Sequence, residues 1–232
     1  MKIGQMSFPN LSKQADYLQL DICGLDVSSS VEKYLSYKKD IPVILHGDWT
    51  KKGCSENNLK DRLDDYIQII LALNNLTEVL GITIHPPSRN KMSLNELVAC
   101  CELIKTKTGV STFVENRSSQ KLLLSSKEEI VEFSQNHFMT IDIPQLYISC
   151  GYNEEGLKNT LNLLNEENIK EIHLANVLRR DNRTFVARKL DDGILNIKEI
   201  ISFLNPNAYC TLEILGGLPT FEKQKEWILK AQ

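Results

Sequence analysis

A chain of 232 residues that is 42% hydrophobic can bury a sizeable core, and an α/β barrel commonly uses about 200 to 250 residues as a single domain. Its 27 Lys and Arg against 30 Asp and Glu leave a formal charge of -3, which gives no overall electrostatic pull toward nucleic acid or an anionic membrane. The opening residues, MKIGQMSFPN, lack a basic segment followed by an apolar run, and no stretch reaches the ~18 apolar residues of a membrane span, so a soluble, cytoplasmic protein is the expectation.

Short β-branched or apolar runs recur along the chain at 2–8 (KIGQMSF), 17–22 (YLQLDI), 42–47 (PVILHG), 79–85 (VLGITIH), 110–115 (VSTFVE), 138–143 (FMTIDI), 171–176 (EIHLAN) and 209–214 (YCTLEI). Each reads as a strand. Only PNLSKQADYL separates the first two, near the minimum for a crossover, so the first helix must be short or irregular. Apolar residues at helical spacing fill the later gaps: SVEKYLSYKK, NLKDRLDDYIQIILALNNL, SLNELVACCELIKT, SKEEIVEFSQN, GLKNTLNLLNEENI, NIKEIISFL and FEKQKEWILKA. Ser93 three residues before Glu96, and Ser126 three before Glu129, are helix start signals. Strand and helix alternating to eight strands argue for a closed (β/α)8 TIM barrel spanning 1–232 as one domain. An open doubly wound sheet is the alternative, but no GxGxxG or GxxxxGK[ST] loop follows any strand, so no nucleotide cofactor is signalled. The cysteines, Cys23, Cys54, Cys100, Cys101, Cys150 and Cys210, form no CxxC pair and read as reduced, mostly buried thiols.

Acid or imidazole groups stand at the ends of strands two through eight: Asp21, His46, His85, Glu115, Asp142, His173 and Glu213. A single polar residue at a strand end is as readily a cap as a functional group. Seven in order are different, because each inward-facing carboxylate carries a desolvation cost of several kcal/mol without a cation or donor partner. A divalent metal ion would be that partner, since strand ends gather on one rim of a barrel.

The order of these residues resembles the xylose isomerase-like barrel superfamily, which includes sugar isomerases and epimerases of the tagatose 3-epimerase group and, more distantly, endonuclease IV. The likeness runs from Lys2 to about Leu229, on short motifs. It implies that one metal is held by Glu115, Asp142, His173 and Glu213, and that Arg179, six residues after His173, binds substrate oxygen. Two departures stand out. Gln145 occupies the place where relatives put a histidine three residues after the strand-six aspartate, which suits a substrate hydrogen bond better than ligation. The stretch RRDNRTFVARKLDDG has no histidine, so the three-zinc site of endonuclease IV is incomplete and one metal is the economical expectation. Relatives also suggest a homodimer.

By resemblance, Glu115 and Glu213 are both ligands and catalytic acid/base groups. A metal chelating a ketose carbonyl and the adjacent hydroxyl acidifies the C–H between them, and a carboxylate removes and returns the proton through an enediolate. Action by both gives an epimer; transfer between adjacent carbons gives an isomer. Oxygen-rich ligands with one imidazole suit Mn²⁺, Mg²⁺ or Co²⁺, with Zn²⁺ also open. His46 and His85 are candidates for binding substrate hydroxyls or a second metal, Trp49 for covering a sugar face or packing under its loop, and Asn176 and Asn116 for substrate contact or carboxylate orientation. Asp21 is a candidate for ordering that side of the pocket or for a structural role. Arg179, Arg180, Arg183, Arg188 and Lys189, interrupted by Asp181, Asp191 and Asp192, would suit a sugar phosphate or form a solvated loop of local ion pairs. The expected function is thus a metal-dependent sugar or sugar phosphate isomerase or epimerase in carbohydrate metabolism, with dehydration of a related hydroxylated ring as a close variant. An endonuclease IV-like phosphodiesterase and a noncatalytic ligand-binding barrel are the alternatives.

Overall fold

The computed structural model describes residues 1–7, 10–38, 40–50, 54–180 and 183–230. Phe8, Pro9, Lys39, Asp181, Asn182 and Ala231, which belong to segments read above, lie outside the described residues. Eight parallel strands close on themselves: β1 (Lys2–Met6), β2 (Tyr17–Asp21), β3 (Val43–His46), β4 (Val79–Ile84), β5 (Thr112–Glu115), β6 (Met139–Asp142), β7 (Ile169–Leu174) and β10 (Tyr209–Leu212). Neighbours follow chain order, and β1 pairs in parallel with β10, Lys2 opposite Tyr209. The helices between them are α1 (Val27–Ser36), α2 (Leu59–Asn74), α3 (Leu94–Thr108), α4 (Lys127–Ser134), α5 (Ile143–Ser149), α6 (Glu154–Leu163), α7 (Ile197–Ile201) and α8 (Gly217–Leu229). This is the expected (β/α)8 barrel. The tight first connection leaves no helix among the described residues between β1 and β2.

The start signals act as capping boxes: Ser93 accepts from the Glu96 backbone while Glu96 accepts from the Ser93 backbone, and Ser126 with Glu129 repeats the pattern. Gly216 and Gly217, at φ 126° and 68°, turn the chain from β10 into α8 through backbone regions open to glycine. Two elements differ from the sequence expectation. The short α5 begins directly at the end of β6, because the Asp142 carboxylate caps it and Pro144 fits its first turn. The basic loop after strand seven is an antiparallel ribbon of β8 (Asn176–Arg180) and β9 (Arg183–Arg188). Its outer residues, among them Arg179, Arg180, Phe185 and Val186, are exposed, so no alternation of buried positions marks it in the sequence.

Inside the barrel, the two-residue period of the strands stacks side chains in layers. Tyr17, Ile44 and Phe113 plug the lower end. Glycine makes room for the rings there: a Cβ on Gly4 would stand 2.2 Å from Tyr17, and one on Gly81 would stand 2.3 Å from Phe113. Above them lies a polar layer of Gln19, Thr83, Thr140, Glu171 and Thr211, all buried. At the C-terminal mouth come His46, His85, Glu115, Asp142, His173 and Glu213, two residues after Ile44, Thr83, Phe113, Thr140, Glu171 and Thr211 in turn. The outer faces of the strands join the inner faces of the helices in a continuous apolar shell that includes Leu18, Leu20, Leu45, Ile69, Ile70, Leu97 and Phe221. No described helix is long and apolar enough to cross a membrane. All six cysteines are free, but only Cys100 and Cys210 are buried, the other four being half-buried.

Candidate metal centre

His173 is the centre of the upper layer. It is completely buried, and its Nδ1 lies 3.2 Å from Glu115 Oε2 and 3.3 Å from Glu213 Oε1 without a hydrogen bond to either. Its Nε2 contacts Gln19 Nε2 at 2.6 Å and Glu171 Oε2 at 3.3 Å. The Gln19 amide nitrogen can only donate, so its contact makes Nε2 the acceptor and puts the ring proton on Nδ1, facing Glu115 and Glu213, where a bound cation would displace it. Potential ligand atoms of Asp142, His173 and Glu213 fall within 4.8 Å of one another, as do those of His46, Glu115 and His173. The two groups share His173. An orphaned imidazole nitrogen among carboxylate oxygens is an arrangement that a divalent cation would complete.

Glu115 touches three imidazoles through one oxygen: His46 Nε2 at 3.5 Å, His85 Nε2 at 3.1 Å and His173 Nδ1 at 3.2 Å. The other oxygen accepts a hydrogen bond from Arg117 Nη1 at 2.8 Å. His46 and His85 meet edge to face with ring centroids 4.9 Å apart, and Gly47 O lies 3.2 Å from His46 Nδ1, a contact that suits a proton there and leaves Nε2 for Glu115. Asp142 opposes His173 across the β6–β7 ladder, accepts from the Gln145 backbone at 2.6 Å, and is strapped to β5 by Asn116, whose side chain bonds the Asp142 backbone N–H at 2.7 Å and carbonyl at 3.2 Å.

The electrostatics follow from crowding of like charge in a dry layer. Burial, aided by the Glu213 and Glu115 carboxylates, pushes the Asp142 carboxyl well above the usual range. Burial works the same way on Glu115, but the His85 and His173 imidazoles outweigh it and hold that carboxyl well below its usual range. For His173, burial disfavours the charged ring, yet Glu213, Glu171 and Glu115 together raise it well above an ordinary histidine. His46 is raised too, Glu115 overcoming its burial. At His85 burial prevails over Glu115, with Arg117 and His46 adding to it, and the ring falls to about 4.

A cavity of about 370 Å³ opens above this layer. Its lining includes His46, Trp49, His85, Glu115, Asp142, Gln145 and Glu213 from the expected site, with Asp21 at its edge. Asn176 and Arg179 are elsewhere. The Asn176 amide is used up in the loop after the ribbon, donating to the Leu190 and Leu195 carbonyls at 2.9 and 3.1 Å and accepting from the Leu195 N–H at 3.0 Å, so it anchors backbone and has nothing left for a substrate. Arg179 lies over the Tyr152 ring, 4.1 Å from its centroid, and does not line the cavity. The basic cluster follows it: Arg188 pairs with Asp192, Asp191 lies 3.7 Å from Lys223, and of the described ribbon residues only Val186 reaches the cavity lining.

Three residues at the centre went unnoticed in the sequence. Glu171 and Gln19 lie one strand period below His173 and Asp21, and the alternation in EIHLAN and YLQLD carries that signal. Arg117 lies in the loop after β5, where no periodicity reports side-chain direction.

No family model matches the chain, and no curated protein matches it in sequence. Solved structures match over its whole length. The probable 3-DHS dehydratase AsbF involved in petrobactin synthesis, from Bacillus anthracis, superposes with a TM-score of 0.66 at 16% identity, covering 100% of this chain and 99% of that one. The chain shares the (β/α)8 barrel fold of this structure. A structure of IolI protein with a bound zinc atom has this fold with a TM-score of 0.67 at 12% identity, covering 100% and 98% of the two chains. A xylose isomerase domain containing protein from Salmonella typhimurium shares it at 0.61 and 12%, covering 99% and 96%. At these identities the likeness is one of fold.

Proposed function

We propose that this barrel is a divalent-metal-dependent enzyme that moves a proton next to a carbonyl on a polyhydroxylated substrate, as a sugar isomerase or epimerase does. The observation that carries it is the orphaned His173 Nδ1, fully buried and 3.2 to 3.3 Å from oxygens of Glu115 and Glu213. Glu115, Asp142, His173 and Glu213 would hold one ion, and the zinc in the IolI structure supports a metal in this fold. When bound, such an ion polarises a carbonyl and stabilises the oxyanion that forms on loss of an adjacent proton. Three oxygen ligands and one imidazole suit Mn²⁺, Mg²⁺, Co²⁺ or Zn²⁺.

The chain's own residues divide the remaining work. Glu213 lines the cavity with its side chain partly exposed, where it can take and return a substrate proton. Glu115, buried among imidazoles and Arg117, is held as a carboxylate. His46, His85 and Gln145 face the cavity as hydrogen-bonding groups, and Trp49 offers an apolar wall. Dehydration begins with the same proton removal, and the dehydratase named among the similar folds makes it a close variant.

The test is solvent deuterium incorporation at the α-carbon of a ketose by the Mn²⁺-loaded protein. Glu213→Gln is expected to lower it by about 10² to 10⁴ while leaving circular dichroism and melting temperature unchanged. Equal incorporation in the variant would remove Glu213 from the role. A second reading is favoured by one observation, the convergence of His46 and His85 on Glu115 at 3.5 and 3.1 Å, which could hold a second ion as phosphodiesterases require. Two ions per chain, with cleavage of abasic-site DNA, would favour it over the isomerase.

A further inference from the structure

The geometry points to a carboxylate-bearing substrate, a hydroxy acid of sugar size, gripped by Arg117 and Gln145; this rests on the metal-dependent reading of the same cavity and narrows its substrate class. Arg117 is the one arginine or lysine among the described cavity-lining residues, beside Asp21, Glu115, Asp142 and Glu213. Its Nη1 is occupied by Glu115 at 2.8 Å and approaches His85 Nε2 at 3.4 Å. Its Nε and Nη2, three N–H donors in the plane of the guanidinium, have no acceptor among the described residues. The backbone beneath is pinned on both sides, the Arg117 N–H donating to Leu124 O at 3.0 Å and the Arg117 carbonyl accepting from Ser149 Oγ at 3.2 Å.

Gln145 holds a second set of donors. Its Oε1 accepts from the Ser118 N–H at 3.2 Å and from the Ser118 hydroxyl, which fixes the amide with oxygen toward Ser118 and NH₂ away from it. That NH₂ has no acceptor among the described residues, while Gln145 and Arg117 line the same cavity. Two fixed sets of donors without acceptors are built for an oxyanion. Charge selects which one. With Asp21, Glu115, Asp142 and Glu213 in the lining, a singly charged carboxylate meets less repulsion than a doubly charged phosphate. The cavity volume of about 370 Å³ sits at the small end of ligand pockets and suits a compact molecule.

The experiment is calorimetric titration of the Mn²⁺-loaded protein with three probes of one carbon skeleton: D-gluconate, D-glucitol and D-glucitol 6-phosphate. Gluconate is expected to bind about tenfold or more tightly than glucitol. Arg117→Met should erase that preference with one metal ion still bound, Arg117→Lys should keep part of it, and Gln145→Glu should erase it. Equal affinity of gluconate and glucitol for the wild type overturns the inference alone. So does a preference that survives in Arg117→Met and Gln145→Glu, which would put the carboxylate on the metal, and so does tighter binding of the phosphate. Failure of the wild type to retain metal overturns the metal centre, and this inference with it.

Discussion

Glu171 and Glu115 are both buried carboxylates inside the same barrel, one layer apart, and their surroundings differ. Glu171 accepts from Gln19 at 3.0 Å and Thr211 at 2.6 Å through one oxygen, and from Thr83 at 2.5 Å and Thr140 at 3.1 Å through the other. Burial alone would raise its carboxyl, yet His173 and these hydroxyls hold it below the usual range. Each oxygen accepts two hydrogen bonds, so Glu171 has no capacity left for a ligand. One layer up, Glu115, Asp142 and Glu213 surround an imidazole nitrogen without a hydrogen bond, and Asp142 is driven toward its neutral form. A saturated buried charge is scaffold; an unsaturated cluster of them leaves room for a cation.

The largest effect that would sharpen this contrast is on Glu171. Glu171→Ala removes the shared acceptor of Gln19, Thr83, Thr140 and Thr211 and the countercharge of His173, and should cost about 3 to 5 kcal/mol of stability, read by denaturant unfolding with or without metal. A loss below about 1 kcal/mol would mean that the lower layer is not scaffold. Asp142→Asn should do the opposite. The amide oxygen can keep the α5 cap and the charge removed is one that burial already disfavours, so metal-free stability should hold. Metal affinity should fall by about 10- to 100-fold or more, measured by competition with a chelator. Smallest is Arg179→Ala: stacked on Tyr152 outside the cavity, it should leave turnover and substrate affinity within about twofold, and a larger loss would bring the ribbon into the site.

How much of this was legible in the sequence depends on burial. The eight barrel strands could be read because both faces are covered, one by the helices and one by the barrel interior, so their residues form apolar runs ending in a polar group. Ser93 and Ser126 announced their helices because a capping box is local chemistry. The ribbon of β8 and β9 was not legible, since its exposed residues place no demand on hydrophobic pattern. Helix α5 was hidden because its cap, Asp142, had already been read as a strand end. In the site, the strand-borne residues His46, His85, Glu115, Asp142, His173 and Glu213 all came to one mouth, as position on a barrel strand dictates. Asn176 and Arg179, just beyond the end of β7, were governed instead by the fold of the ribbon, which turned one into a backbone anchor and the other onto Tyr152.

The central claim is that the unsatisfied layer is a metal centre. Anomalous scattering from crystals grown with Mn²⁺ tests it most directly. The account predicts one peak per chain, bonded to His173 Nδ1 and to carboxylate oxygens of Glu115, Asp142 and Glu213, and lost in Asp142→Asn. Absence of any peak in that layer, with His173 Nδ1 instead hydrogen-bonded to a neighbouring carboxylate, would contradict it.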